Sequence, residues 1–297
     1  MLHPVTFSFP EEKILKEPSV KTKILSDLIP GRPETYIYGN ETDYYNEYRT
    51  SLFATTIKKA GWDCMRHYEI LGNGCIPYFP DIENCPKNTM ALLPKDLIME
   101  GNALYARFKG KRINELSDAD TAQCNVLVQK LLNYTREHLT TTRMARYILD
   151  KSSFTNAKNV LYLSRDTAPD YLRCVTLHGF KTLAGVQCHD YPKIPHIYKS
   201  RHIHYASLYG KGITYTNLLE PALHDDALDR NIADAIRNKV FDVVIYGSYH
   251  RGMPLFDLVS TVYKPNEIIL LCGEDIHACN YNTWVNKGHT VFVRELE

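Results

Sequence analysis

Apolar runs without polar alternation mark the second half of the chain: NVLYLS, FDVVIYGS, EIILLCGE and HTVFVRE. Strands of this kind are buried on both faces, as in a parallel sheet covered by helices. Stretches of helical spacing lie between them, DYLRCVTLHGFKTL, DDALDRNIADAIRNK and MPLFDLVSTVYK, and GVQCHDY and GITYTN read as two further strands. In the first half TYIYGN reads as a strand, DYYNEYRTS as a short helix or loop, SLFATTIK as a strand, GWDCMRHYEILGNG as a helix closed by glycine, and CIPYFPD as a third strand. This is the β-loop-α-β unit of a parallel sheet. Residues 117–149 are helical, with apolar positions at Val126, Leu127, Leu131, Leu132, Leu139, Met144 and Ile148 and a break near the threonines at 140–142. The pattern predicts an α/β fold of two Rossmann-like halves and a helical connector: an N-terminal arm at 1–34, a first half at 35–112, the connector at 113–157 and a second half at 158–297. Ligands of such folds bind at the carboxyl ends of the strands.

Composition narrows the classes. The 35 basic residues against 34 acidic ones give a net charge of +1, so no basic face for nucleic acid is expected. The first residues, MLHPVTFSFPEEKILKEP, do not read as a signal peptide, so none is expected, and no apolar run reaches the length of a membrane span. Eight cysteines lack any C-x-x-C spacing and read as reduced thiols of a cytoplasmic protein. Asn40 and Asn133 match the glycosylation acceptor pattern by chance on that reading.

The chemistry concentrates at 58–86, KKAGWDCMRHYEILGNGCIPYFPDIENCP. Lys58, Lys59 and Gly61 fall in the loop at the carboxyl end of a predicted strand, and the next helix opens at Trp62–Arg66. Backbone N–H groups at that helix start, with two lysines and Arg66, suit a diphosphate. Arg66 and Glu69, three apart, share one helical face. Glu69 is placed to accept hydrogen bonds from ribose hydroxyls, and Trp62 or Tyr68 to stack on a base. The same residues equally fit a solvated i,i+3 ion pair beside an exposed loop.

Arg66, Glu69, Gly74, Cys75, Ile76 and Pro77 match, in order and spacing, the segment R-x-x-E-x-x-x-x-G-C-I-P. This resembles the donor-nucleotide segment of exostosin-like GT-B glycosyltransferases, and the wording KKAGWDCMRHYEI is similar to those encoded by large DNA viruses of algae and amoebae. The resemblance covers about residues 35–98 and is fold-level elsewhere. It implies a GT-B-like enzyme, a hexosyl- or pentosyltransferase that moves a sugar, with xylose one candidate, from a UDP-sugar donor to an oligosaccharide or glycoprotein acceptor. Lys59, Arg66 and Arg251 would hold the diphosphate, with Lys58 and Ser248 beside them, and Glu69 the ribose. Two departures bear on it. Cellular exostosins are membrane-anchored, whereas this chain is expected in the cytoplasm, a host's or a virion's if viral. The donor motif also lies in the first half instead of the second, so either the halves are permuted or C-terminal strands complete the donor sheet.

Four loops at predicted strand ends, SRDTAPD, CHDYP, GSYHRG and GEDIHACN, carry titratable groups. An inverting transferase needs a general base, and Asp166, Asp190, His250 and Asp275 are the candidates. The DAD of Asp118–Asp120 matches a D-x-D metal motif but reads more readily as a helix cap, and HDDALD at 224–229 reads as a helix start. His202 and His204 alternate on one strand face without a third ligand. No metal and no cofactor besides the donor is therefore expected. The rivals are a Rossmann-type methyltransferase or dehydrogenase, disfavoured by the missing Gly-rich turn, a nucleotide- or glycan-binding module without catalysis, and an α/β protein with no nucleotide site.

Overall fold

A computed structural model describes residues 1–203, 207–275 and 279–297. The strands and helices are, in chain order, β1 (Leu2–Pro4), β2 (Lys23–Leu25), α1 (Glu41–Thr50), β3 (Ser51–Thr55), α2 (Met65–Gly72), β4 (Ile76–Tyr78), α3 (Lys95–Phe108), α4 (Asp118–His138) and α5 (Thr141–Lys151). There follow β5 (Asn159–Leu163), α6 (Tyr171–Thr182), β6 (Gln187–Tyr191), α7 (Asp226–Arg230), α8 (Ile232–Arg237), β7 (Val243–Gly247), α9 (Phe256–Val262), β8 (Ile268–Cys272), α10 (Tyr281–Asn286) and β9 (Thr290–Val293). They build a mixed α/β molecule with two parallel sheets. One has six strands in the order β1-β9-β8-β7-β5-β6, and the other three, β2-β3-β4.

The unbroken apolar strands of the larger sheet divide by period two. Val160, Tyr162, Val243, Ile245, Ile269, Leu271 and Phe292 face a core shared with α5, α6 and the smaller sheet. Leu161, Leu163, Val244, Tyr246, Leu270 and Val291 face a second core with Ile232, Ile236 and Val259 of α8 and α9. Both faces are thus covered, which is why these strands need no polar alternation. The order of the larger sheet reverses between β5 and β7. A crevice opens at the carboxyl ends of such a pair.

The segment 1–34 contributes a strand to each sheet: Leu2 pairs with Val291 of β9, and Lys23 with Ser51 of β3. The break between α4 and α5 falls at Thr140, whose side chain caps α5 by accepting from Arg143 N at 3.2 Å. On α4 the core side is Leu127, Val128, Leu131 and Leu132, while Val126, expected on that stripe, is exposed.

Two expected strands are absent. TYIYGN is a 3-10 turn at Pro33–Thr35 followed by irregular chain, because β2 already occupies the free edge of β3. GITYTN is broken by left-handed backbone at Gly212, Thr214 and Asn217, which no extended ladder accommodates. α3 and α10 were not apparent from periodicity. In α3, Gly101 interrupts the pattern where the helix closes on Ile76: a Cβ there would stand 2.5 Å from that side chain. Among the described residues no helix is long and apolar enough to cross a membrane. The thiol reading holds for six cysteines, whereas Cys272 and Cys279 form a disulfide, their seven-residue separation giving no C-x-x-C signal.

Candidate functional site

The loop between β3 and α2 is held from both ends of the chain. Glu295, just past β9, accepts from Trp62 N and Asp63 N at 2.9 Å each. Gly61 leaves room for that carboxylate: a Cβ there would stand 2.4 Å from Glu295 Oε1 and displace it. Asp63 accepts from Phe7 N and from the Tyr68 hydroxyl, both at 2.8 Å. Arg294 is fully buried, donates to the carbonyls of Asp63 and Gly273 and to the Asp275 and Glu295 carboxylates, and lies over the Phe7 ring. Burial pushes the Asp63 carboxyl up to about 6 despite the Arg294 charge beside it.

This clamp presents α2 to a cleft of about 700 Å³ between the two sheets. Lys59, Asp63, Arg66 and Glu69 line one wall, and Tyr171, Tyr209 and Asp275 belong to the other half. No side chain caps the start of α2, whose N-cap is Cys64. Arg66 is only 8% exposed. Its Nε donates to the Tyr36 hydroxyl at 3.0 Å, while its buried Nη1 has no partner. A guanidinium nitrogen left unpaired at that depth is costly unless something anionic meets it.

Glu69 ends two hydroxyl relays. Tyr48 and Tyr44 share a 3.0 Å contact and Tyr44 donates to Oε2 at 2.7 Å; Tyr45 and Thr214 are 2.7 Å apart and Thr214 donates to Oε1 at 2.6 Å. Burial raises the Glu69 pKa against these donors and Arg66. Arg66 and Glu69, though on one helical face, are not joined as an ion pair. Each faces the cleft with its own tyrosines.

The other residues singled out in the sequence divide. Lys58 sits over the Trp62 ring at 5.1 Å, and Trp62 tilts against Phe79. Neither lines the cleft, so the indole serves packing where base stacking was expected. Ser248 and Arg251 meet Asp170, the N-cap of α6, with Ser248 Oγ donating at 2.7 Å and Arg251 Nε at 3.2 Å. They and Asp166, which pairs with the buried Arg173 at 3.1 Å, stand at the β5–β7 crevice, where Asp170 directly precedes Tyr171 of the cleft wall. His250 is on the same loop; its Nδ1 is buried without a partner, and burial lowers its pKa. Asp190 is elsewhere, in β6, in a buried network with His224, Lys181 and Tyr198. Burial would raise its pKa, but those three donors hold it well below the usual carboxylate range. All three meet Oδ1, and Oδ2 accepts from Ile194 N at 3.4 Å, so this carboxylate is a buried counter-ion, not a free base. Of the four proposed bases only Asp275 lines the cleft.

DAD is the first turn of α4, not a metal motif: Ser117 caps the helix by accepting from Asp120 N at 3.1 Å, and Asp120 pairs with Arg107. His202 is exposed, and His204 lies outside the described residues. Sequence reasoning missed Asp63, Tyr36, Thr214 and Arg294. Only Asp63 carried a local signal, standing inside the motif-bearing loop. Neither a protein-family model nor a curated protein matches this chain significantly.

Proposed function

We propose that this chain is a GT-B-like glycosyltransferase, taking a sugar from a nucleoside diphosphate sugar, UDP-linked, to a hydroxyl of a glycan acceptor. The observation that carries the reading is Arg66: a buried guanidinium with an unpaired nitrogen at a helix start, one turn from a carboxylate, in a cleft that both sheets border. Arg66, Lys59 and the first N–H groups of α2 would neutralise the leaving diphosphate. Glu69, whose oxygens retain accepting capacity beside Tyr44 and Thr214, would receive the ribose hydroxyls. The tyrosines of the cleft supply flat faces for base and sugar.

On this reading the acceptor hydroxyl attacks the anomeric carbon, the carbon–oxygen bond to the diphosphate breaks, and the hydroxyl proton passes to a carboxylate on the opposite face. Asp275 suits that role, at the rim with its side chain half exposed and one oxygen paired to Arg294. The anomeric configuration inverts.

Calorimetric titration with UDP, GDP and their sugar conjugates, with and without EDTA, tests the donor site. Binding of one nucleotide that survives EDTA and weakens about 10–100-fold in Arg66→Ala is expected, the value of a lost charge-assisted contact. No nucleotide binding overturns the reading. Binding with no release of UDP from any sugar conjugate, with glycan acceptors present, reduces it to a binding module.

A further inference from the structure

A second constellation of chemistry-bearing side chains lies outside the cleft, at the carboxyl end of β6. His189, in β6, and His224, just before α7, are both buried, and their rings stack at 5.1 Å between centroids. Both point Nε2 at one carboxylate: His189 Nε2 is 2.8 Å from Asp229 Oδ1, and His224 Nε2 is 3.0 Å from Asp229 Oδ2. The donor atoms of these three residues lie within 4.8 Å of one another. Asp226 stands next to them, its Oδ1 3.5 Å from His224 Nε2, and is also approached by Lys193 at 3.5 Å.

The capping of α7 does not account for this arrangement. Asp225 alone performs it, accepting from Ala227 N and Leu228 N. Asp229 is thereby spared for the two histidines.

The far side of His224 matters most. Its Nδ1 lies 2.9 Å from Asp190 Oδ1, and that carboxylate is fixed by the Tyr198 hydroxyl at 2.6 Å and Lys181 Nζ at 2.8 Å. An imidazole whose Nδ1–H is taken by a buried carboxylate has its Nε2 lone pair aimed the other way, the arrangement that orients and strengthens a metal-ligating histidine. Without a cation, Nε2 of both histidines must carry protons toward a single carboxylate, and His224 becomes a doubly flanked imidazolium. A divalent ion replaces both of those protons.

We propose that His189, His224 and Asp229 bind a divalent late first-row cation, of the zinc class, with Asp190 as the positioning residue for His224 and Asp226 or water in the remaining position. Two imidazoles and one carboxylate are a donor set these ions favour. Tetrahedral bonds of about 2.05 Å separate neighbouring ligand atoms by roughly 3.3 Å, so the two contacts of the histidines with Asp229, at 2.8 and 3.0 Å, need to open by only a few tenths of an ångström. The bound ion would tie β6 to α7 and is independent of the donor cleft.

The experiment is a titration of the tag-free, EDTA-stripped full chain with Co²⁺, followed by displacement with Zn²⁺. One equivalent is expected, with the visible bands of a low-coordinate nitrogen and oxygen site and raised thermal stability. His189→Ala and Asp229→Asn should each weaken binding at least about 100-fold, and Asp190→Asn about 10–100-fold, the effect of losing an outer partner. Two results overturn the proposal. One is no binding by the wild type at micromolar metal, a test that depends on no variant folding. The other is a sulfur-to-cobalt charge-transfer band, which would put the ion on one of the free cysteines instead of the two histidines.

Discussion

Asp63 illustrates how a residue in this cleft is tuned. Its pKa, raised to about 6 from 3.8, means the folded chain holds a proton there that the unfolded chain releases. The stability this contributes is full below about pH 4 and is lost as pH rises through 6; a shift of that size is worth on the order of 2–3 kcal/mol. Asp63→Asn cannot titrate, so the difference in unfolding free energy between wild type and variant should change across that window and be flat above pH 7. Denaturant unfolding at stepped pH measures it. Glu69 has a different sensitivity. Both oxygens accept from hydroxyls, so Glu69→Gln sets an amide donor against Tyr44 or Thr214. A cost of about 1–3 kcal/mol in stability is expected, with weaker nucleotide binding on the proposed reading. Arg66 and Glu69 were legible because their relation is local, three positions on one helix. Their partners Tyr36 and Thr214 were not, since they reach α2 from irregular segments far away in sequence. Trp62 was legible only as a large aromatic, and whether its ring meets a ligand or Phe79 is decided by β4.

Among the elements, α5 and α6 pack backbone to backbone at Gly179. A Cβ on Gly179 would stand 2.0 Å from the carbonyl oxygen of Thr141, a backbone atom that cannot swing aside. Thr141 Oγ1 also meets His178 Nδ1 at 2.8 Å in the same contact. Gly179→Ala should therefore lower stability by about 3 kcal/mol, at the upper end of overpacking costs, read as a fall in the denaturant midpoint with the m-value unchanged. The elements with continuous apolar runs were readable from sequence, β5, β7, β8 and β9 above all, because burial on both faces leaves an unmistakable composition. GITYTN had the right residues for a strand and the wrong backbone: three positive φ angles decided it, and two of them fall on Thr214 and Asn217, where sequence gives little notice.

For the whole molecule, the two parallel sheets and the connecting helices followed from periodicity, but their union did not. Residues 5–9 run from the larger sheet to the smaller, with Phe7 N on Asp63, and Phe9 pairing with Thr140 where α4 gives way to α5. Nothing in MLHPVTF announces a strand whose partner is at the other end of the chain. Deleting residues 1–4 should expose the edge of β9 and loosen the Arg294–Glu295 clamp. The expected outcome is a lower melting temperature and, on the proposed reading, weaker nucleotide binding, whereas a mere tail would leave both unchanged.

That pairing also orders events during synthesis. The amino group of Met1 donates to the carbonyl of His289 at 2.7 Å, a contact spanning 288 residues. On the ribosome, β1 emerges long before its neighbour β9. At roughly 5–20 residues per second the first strand waits on the order of 15–60 seconds with an unpaired edge. Its brevity and its terminal proline, which offers no N–H to a stray strand, suit that interval. The clamp on the α2 loop closes only when Arg294 and Glu295 arrive, so a chain ended before them would carry the whole of α2 and its cleft residues yet lack the anchor that aims them.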